Sequence, residues 1–111
     1  MDLPDFIRAM PAIAIPLPED VVSTNVVRSD RGLVLFFTVH RDCEVPPHSH
    51  KAQWGTIFAG EVELTIAGVT RTFRPGECWD IPAGTVHSAR LKAGSRFMDV
   101  FEEPDRYPLR P

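Results

Sequence analysis

Gly76-Glu77-Cys78-Trp79-Asp80-Ile81-Pro82-Ala83-Gly84-Thr85-Val86-His87 is a short strand held between two turns and followed by a histidine on a further strand. Pro75-Gly76 and Pro82-Ala83-Gly84 carry the turn chemistry, proline presetting one backbone angle and glycine admitting conformations other residues resist. Upstream stands His48-Ser49-His50. Successive side chains of an extended strand alternate faces, so histidines at i and i+2 point the same way and can grip one ion. Such a pair alone is weak evidence. Here it opens the stretch His48 to Gly60, which closes in the turn Gly60-Glu61, and the second punctuated stretch supplies a third histidine. His48, His50 and His87 therefore read as one metal site. Gln53 is either a further ligand or an amide that orients one of the histidines. His40 ends a strand outside both stretches and reads as a surface or strand-end histidine.

Working outward, the chain is a series of short strands. Leu33 to His40 is dense in β-branched and aromatic residues, and Glu61 to Ile66 alternates, with Val62, Leu64 and Ile66 on one face. Gly68, Pro75-Gly76, Pro82-Ala83-Gly84 and Ala93-Gly94 then break the chain at short intervals, which suits a sandwich or barrel rather than helices. Asp5 to Met10 allows one helical turn, and the proline-rich Pro11 to Pro18 is extended and fit only for an edge. The expectation is one all-β domain. Residues 1–30 supply extended edge segments, 31–103 the barrel and 104–111 a tail folded over its end. Strand parity puts His87 with Ala89 and Leu91, and Gln53 with Gly55, Ile57 and Ala59, so the site is expected inside the barrel, the small residues leaving room for an ion and a ligand.

The 111 residues fit one domain, and 43% hydrophobic with 24% charged residues is ordinary for a globular protein. A net charge of -3 gives no global attraction to nucleic acid or anionic lipid. No apolar run approaches the roughly 20 residues that span a bilayer, and no basic start precedes a long apolar stretch. No nucleic-acid or membrane partner is expected, and a cytoplasmic location follows by default. Cys43 and Cys78 are too few for a disulfide framework and read as free thiols. The apolar run Ala12 to Leu17 would expose a greasy edge unless covered, which argues for a homodimer.

The two stretches resemble the motifs of the cupin superfamily, small jelly-roll β-barrels. Gly76, Pro82, Gly84 and His87 stand at the spacing of the second motif, with Leu91 in place of its closing Asn. In the first motif Asp42 replaces the leading Gly, Gln53 replaces the usual Glu, and the loop after His50 is one residue short. Three imidazoles and an amide are all neutral, so a divalent ion would keep its full charge and hold an anionic ligand or substrate strongly. Such ligands suit Fe, Mn, Ni, Co or Zn.

Asp99 lies in the otherwise apolar strand Arg96 to Phe101, where burial would raise its pKa and suit it to proton transfer; a structural hydrogen bond or a strand end would equally explain it. Asp80 poses the same question with less support. Trp54 and Trp79 fit core positions, and a tryptophan or phenylalanine at the barrel mouth can also stack on a sugar ring. Asp99-Val100-Phe101 followed by Arg106, with three histidines and a glutamine, is similar to the pectin-degradation cupins, which open unsaturated uronates to keto acids. That likeness implies His48, His50, Gln53 and His87 as ligands, Asp99 as the proton-transfer residue, Phe101 as a pocket wall and Arg106, one residue beyond the family spacing, as the substrate-carboxylate partner. Three classes stay open: a metalloenzyme of isomerase, tautomerase or lyase type acting on a small oxygen-rich acid such as a sugar acid, a metal-dependent dioxygenase, and a binding or sensor domain without turnover.

Overall fold

Two antiparallel sheets face each other in a computed structural model that describes residues 2–110. After a single helical turn, α1 (Asp5–Arg8), nine strands follow: β1 (Val22–Arg28), β2 (Leu33–Val39), β3 (Cys43–His48), β4 (Gln53–Ala59), β5 (Val62–Ile66), β6 (Val69–Phe73), β7 (Cys78–Ile81), β8 (His87–Leu91) and β9 (Arg96–Phe101). One sheet has the order β1-β2-β9-β4-β7 and the other β3-β8-β5-β6. Neighbours in each sheet are not always consecutive in the chain, the crossing pattern of a jelly roll. The all-β, single-domain architecture is the one the turn spacing predicts.

Alternation along the strands builds the interior. Leu33, Leu35, Phe37 and Val39 of β2 are all buried, as are Phe97, Asp99 and Phe101 of β9 and Val62 and Leu64 of β5. Burying a Val, Leu or Phe side chain contributes about 1.5–3 kcal/mol, and these inner faces form one continuous apolar cluster between the sheets. Two prolines, Pro46 and Pro47, sit in β3, which is an edge strand, and a register shift between Val45 and His48 accommodates them. An edge position tolerates the missing N–H groups.

The two ends of the chain clasp each other. Ile13 bridges Leu109, the Ala14 N–H donates to the Pro108 carbonyl at 2.7 Å and the Arg110 N–H to the Ala12 carbonyl at 3.0 Å. Ile13 is 0% exposed, its backbone tied to the Thr24 hydroxyl of β1, and Ile15 and Leu17 pack on the core. Within the run Ala12 to Leu17 on which the homodimer expectation rests, the chain's own barrel and tail bury Ile13 and cover part of Ile15 and Leu17, while Pro16 stays exposed. Both cysteines are free thiols.

Candidate metal centre and cavity

Three elements carry the histidines. His48 ends β3 and His87 begins β8, and the two are direct cross-strand partners. His50 lies in the loop after β3, and that loop is pinned from two sides: the Gly84 N–H donates to the His50 carbonyl at 2.8 Å, and the Lys51 N–H donates to the Glu103 carboxylate at 2.9 Å. Gly84 holds φ at +79°, a conformation L side chains resist, and this lets the Pro82-Ala83-Gly84 turn reach the loop. The second glycine-proline stretch thus supplies His87 and also fixes His50.

Candidate ligand atoms of the three imidazoles lie within 4.8 Å of one another. Ring centroids of His48 and His87 are 4.3 Å apart, and those of His50 and His87 4.8 Å. In each ring Nδ1 meets a backbone carbonyl: His48 that of Pro46 at 2.8 Å, His50 that of Lys51 at 2.7 Å and His87 that of Thr85 at 2.9 Å. A carbonyl oxygen can only accept, so each Nδ1 carries the proton and each Nε2 presents a lone pair. Nε2 of His50 and of His87 is buried with no hydrogen-bond partner in the chain. Buried polar atoms are rarely left unpaired, and two such atoms beside a third imidazole fit a metal ion. Burial pushes the pKa of both His50 and His87 below the ordinary imidazole range, and the positive charge of Arg106 acts in the same direction. The neutral, ligating form is favoured.

Asp99 faces inward at 4% exposure on β9. Burial raises its pKa to about 6, opposed by side-chain hydrogen bonding from Gln53 and Trp79. The Trp79 indole N–H donates to Asp99 Oδ1 at 2.7 Å. Gly55 makes this pairing possible, because it lies in register with both Asp99 and Trp79, and a Cβ there would come within 2.3 Å of Asp99 Oδ1 and of Trp79 Nε1. The room left by Gly55, expected to serve an ion, is filled by the indole and carboxylate instead. Trp79 is therefore the partner of Asp99, a role that the β4–β7 pairing creates and local sequence does not reveal.

A cavity of about 210 Å³ opens between the sheets, and His48, Gln53, His87, Asp99, Phe101 and Tyr107 are among its lining residues. The Phe101 ring lies 5.6 Å from that of His50, and the Arg106 guanidinium stacks 4.6 Å over the Tyr107 ring. Tyr107 lines the cavity while Arg106 stands outside its wall, near enough for its charge to act on His50 and His87. Trp54 is elsewhere. It is 41% exposed on the outer face of the five-stranded sheet, in register with Val100 and Asp80, because β4 alternation gives the inner face to Gln53 and Gly55. Its expected role as a substrate contact at the barrel mouth is corrected accordingly, since it does not line the cavity. Asp80 is also exposed on that outer face, and His40 is an exposed strand-end residue bonded to the Ser23 hydroxyl at 2.8 Å.

No curated protein matches the chain in sequence. Several solved structures share its fold. KdgF from Halomonas sp. is 23% identical, with 85% of this chain and 86% of that chain covered at a TM-score of 0.72. An RmlC-like cupin from Shewanella frigidimarina NCIMB 400 is 18% identical, with 89% and 87% covered at a TM-score of 0.75. Oxalate decarboxylase from Bacillus subtilis is 20% identical; 88% of this chain and 28% of that chain are covered, at a TM-score of 0.70. The cupin domain family model matches residues 35–101, from the middle of β2 to the end of β9, and with the two sheets and converging histidines it makes this chain a member of that family.

Proposed function

We propose that the protein is a metalloenzyme of isomerase, tautomerase or lyase type, acting on a small acid that chelates a divalent transition metal through neighbouring oxygens. The observation that carries this reading is the convergence of three imidazoles, two of them, His48 and His87, on the wall of the cavity, with a buried carboxylate, Asp99, on the same wall. A buried carboxylate on the wall of such a cavity, its pKa raised to about 6 by desolvation, supports proton transfer. A similar fold in Bacillus subtilis oxalate decarboxylase carries Mn(II) centres, which supports a metal here without naming it. The likeness of Asp99, Phe101 and Arg106 to the pectin-degradation cupins makes unsaturated uronates one substrate group to test.

In this reading His48, His50 and His87 would hold the ion, and Gln53 would add its carbonyl oxygen, while its NH₂ group favours the charged form of Asp99. Bound, the ion supplies Lewis-acid polarisation of a carbonyl or carboxylate oxygen. Asp99 moves the proton. The Trp79 indole holds the carboxylate through Oδ1 and so fixes its orientation as it takes a proton from substrate carbon and returns it. A pKa of about 6 keeps both protonation states accessible near neutral pH. Arg106 and Tyr107 at the cavity's rim add positive charge and a wall against water.

The test begins with elemental analysis of protein purified without chelator, followed by turnover of unsaturated uronates and of small 2-oxo and 3-hydroxy acids by the metal-loaded protein. Asp99→Asn keeps shape and removes the titrating group. Turnover should fall by about 100-fold or more while metal content holds, since general acid-base catalysis contributes about 10²–10⁴-fold. An Asn variant as active as the parent would end the role of Asp99.

A further inference from the structure

We infer that the acid this site takes has an apolar body, a single aromatic ring or a branched hydrocarbon of that size, attached to the chelating oxygens. The inference rests on the metal-chelating reading above and narrows it. The polar side chains of the wall gather at the histidine end, His48, His87, Gln53, Asp99 and Tyr107, with Gln53, Asp99 and Trp79 already engaged with one another; Glu44, also on the wall, is exposed and paired with Arg90. The rest of the wall is apolar, with Phe37, Val62, Leu64, Ala89, Leu91 and Phe97 among its side chains. None offers a side-chain donor or acceptor.

The central strands behind this wall offer nothing more. Val62 and Leu64 lie on β5, hydrogen-bonded to β8 on one side and β6 on the other, and Phe97 lies on β9 between β2 and β4. Their N–H and C=O groups are committed to the ladders on both sides. A ligand hydroxyl placed against this wall would give up water and gain no partner, whereas a hydrocarbon would lose nothing. Size agrees with chemistry. An apolar cavity of about 150 Å³ accepts benzene, so the roughly 210 Å³ here admits one ring and a short acid head.

Three 2-oxo acids with the same head and different bodies test this: pyruvate, phenylpyruvate and 2-ketogluconate. Each is titrated by calorimetry into cobalt(II)-loaded protein, with the visible cobalt spectrum reporting the head and, in a Trp54→Phe background, Trp79 fluorescence reporting the cavity. Phenylpyruvate should bind about tenfold to a hundredfold more tightly than pyruvate, the gain of burying one phenyl group. It should also change Trp79 emission, while 2-ketogluconate binds no more tightly than pyruvate. Ala89→Phe fills the cavity behind His87 and should abolish the phenylpyruvate advantage while leaving the pyruvate spectrum in place. Tighter binding of 2-ketogluconate than of phenylpyruvate overturns the inference and leaves the metal-chelating reading standing. So does a phenylpyruvate preference that survives in an Ala89→Phe protein still binding pyruvate. If no acid alters the cobalt spectrum, the chelating reading itself fails, and this inference with it.

Discussion

Asp99 is the residue on which burial and function meet. The unfolded chain releases its proton near 3.8, whereas the folded chain holds it up to about pH 6. Between those values the folded state binds more protons, so this group's contribution to stability is full below about 3.8 and declines as pH rises through about 6. The difference of about two units corresponds to at most about 3 kcal/mol. Asp99→Asn removes the titration. Metal-free variant and parent, compared by urea unfolding, should be most alike near pH 4 and should diverge in the variant's favour toward pH 7. His50 and His87 titrate in both proteins, so the difference between the two isolates Asp99; a gap that stays constant across this range would show that the carboxylate is not desolvated. The histidines make a separate prediction. His87→Ala removes one of the three converging lone pairs, and metal content, measured by elemental analysis, should fall steeply while the β-sheet circular dichroism signal persists. Gln53→Glu puts a negative charge into an otherwise neutral ligand set, so metal affinity should rise and affinity for an anionic acid should fall. The opposite pair of changes would place Gln53 away from the ion.

At the scale of elements, β4 shows how one strand serves both the fold and the site. Its inner face carries Gln53 and Gly55, and the missing Cβ of Gly55 lets Trp79 of β7 reach Asp99 of β9 across it. Gly55→Ala should therefore act as overpacking, costing about 1–3 kcal/mol in denaturant unfolding. It should also change Trp79 emission by breaking the indole–carboxylate contact. A variant as stable as the parent, with unchanged emission, would mean that the pair is not held where it stands. The same strand marks the boundary of what sequence discloses. Alternation put Gln53 and Gly55 on one face, and it put His87 with Ala89 and Leu91, because parity is a local property of extended chain. The turns, with their glycines and prolines, disclosed where strands end. Which strand lies beside which is not local. The pairings that bring β4 between β7 and β9 decide that Trp79 meets Asp99, that Trp54 points outward beside Val100, and that the space beside Gly55 is already taken. Asp99 itself, flanked by apolar residues on both faces, could not be oriented by parity alone.

Across the whole molecule, stability and cavity both depend on how the ends are fastened. Residues before β1 and after β9 lie outside the two sheets, yet Ile13 is fully buried, and Ile15, Leu17 and Tyr107 help line the cavity. The clasp between Ala12–Ala14 and Pro108–Arg110 joins these segments, so a chain ended after Tyr107 keeps every histidine, Asp99 and Arg106 but loses the bridge to Ile13 and both flanking backbone hydrogen bonds. Each hydrogen bond contributes about 0.5–1.5 kcal/mol net, and partial uncovering of a buried isoleucine adds a comparable amount. Those hydrogen-bond figures are already net contributions, so the expected loss is on the order of 2 kcal/mol. In a domain of this size 1 kcal/mol shifts melting by about 4–8 °C, so thermal unfolding should move down by roughly 10 °C. The barrel should survive, since the sheets make no use of residues 108–110. Metal content should also hold, because no ligand atom depends on the clasp. Loss of metal in the truncated protein, at a temperature where its circular dichroism is unchanged, would mean that the tail orders the histidine loop as well, through the path from Glu103 to the Lys51 N–H.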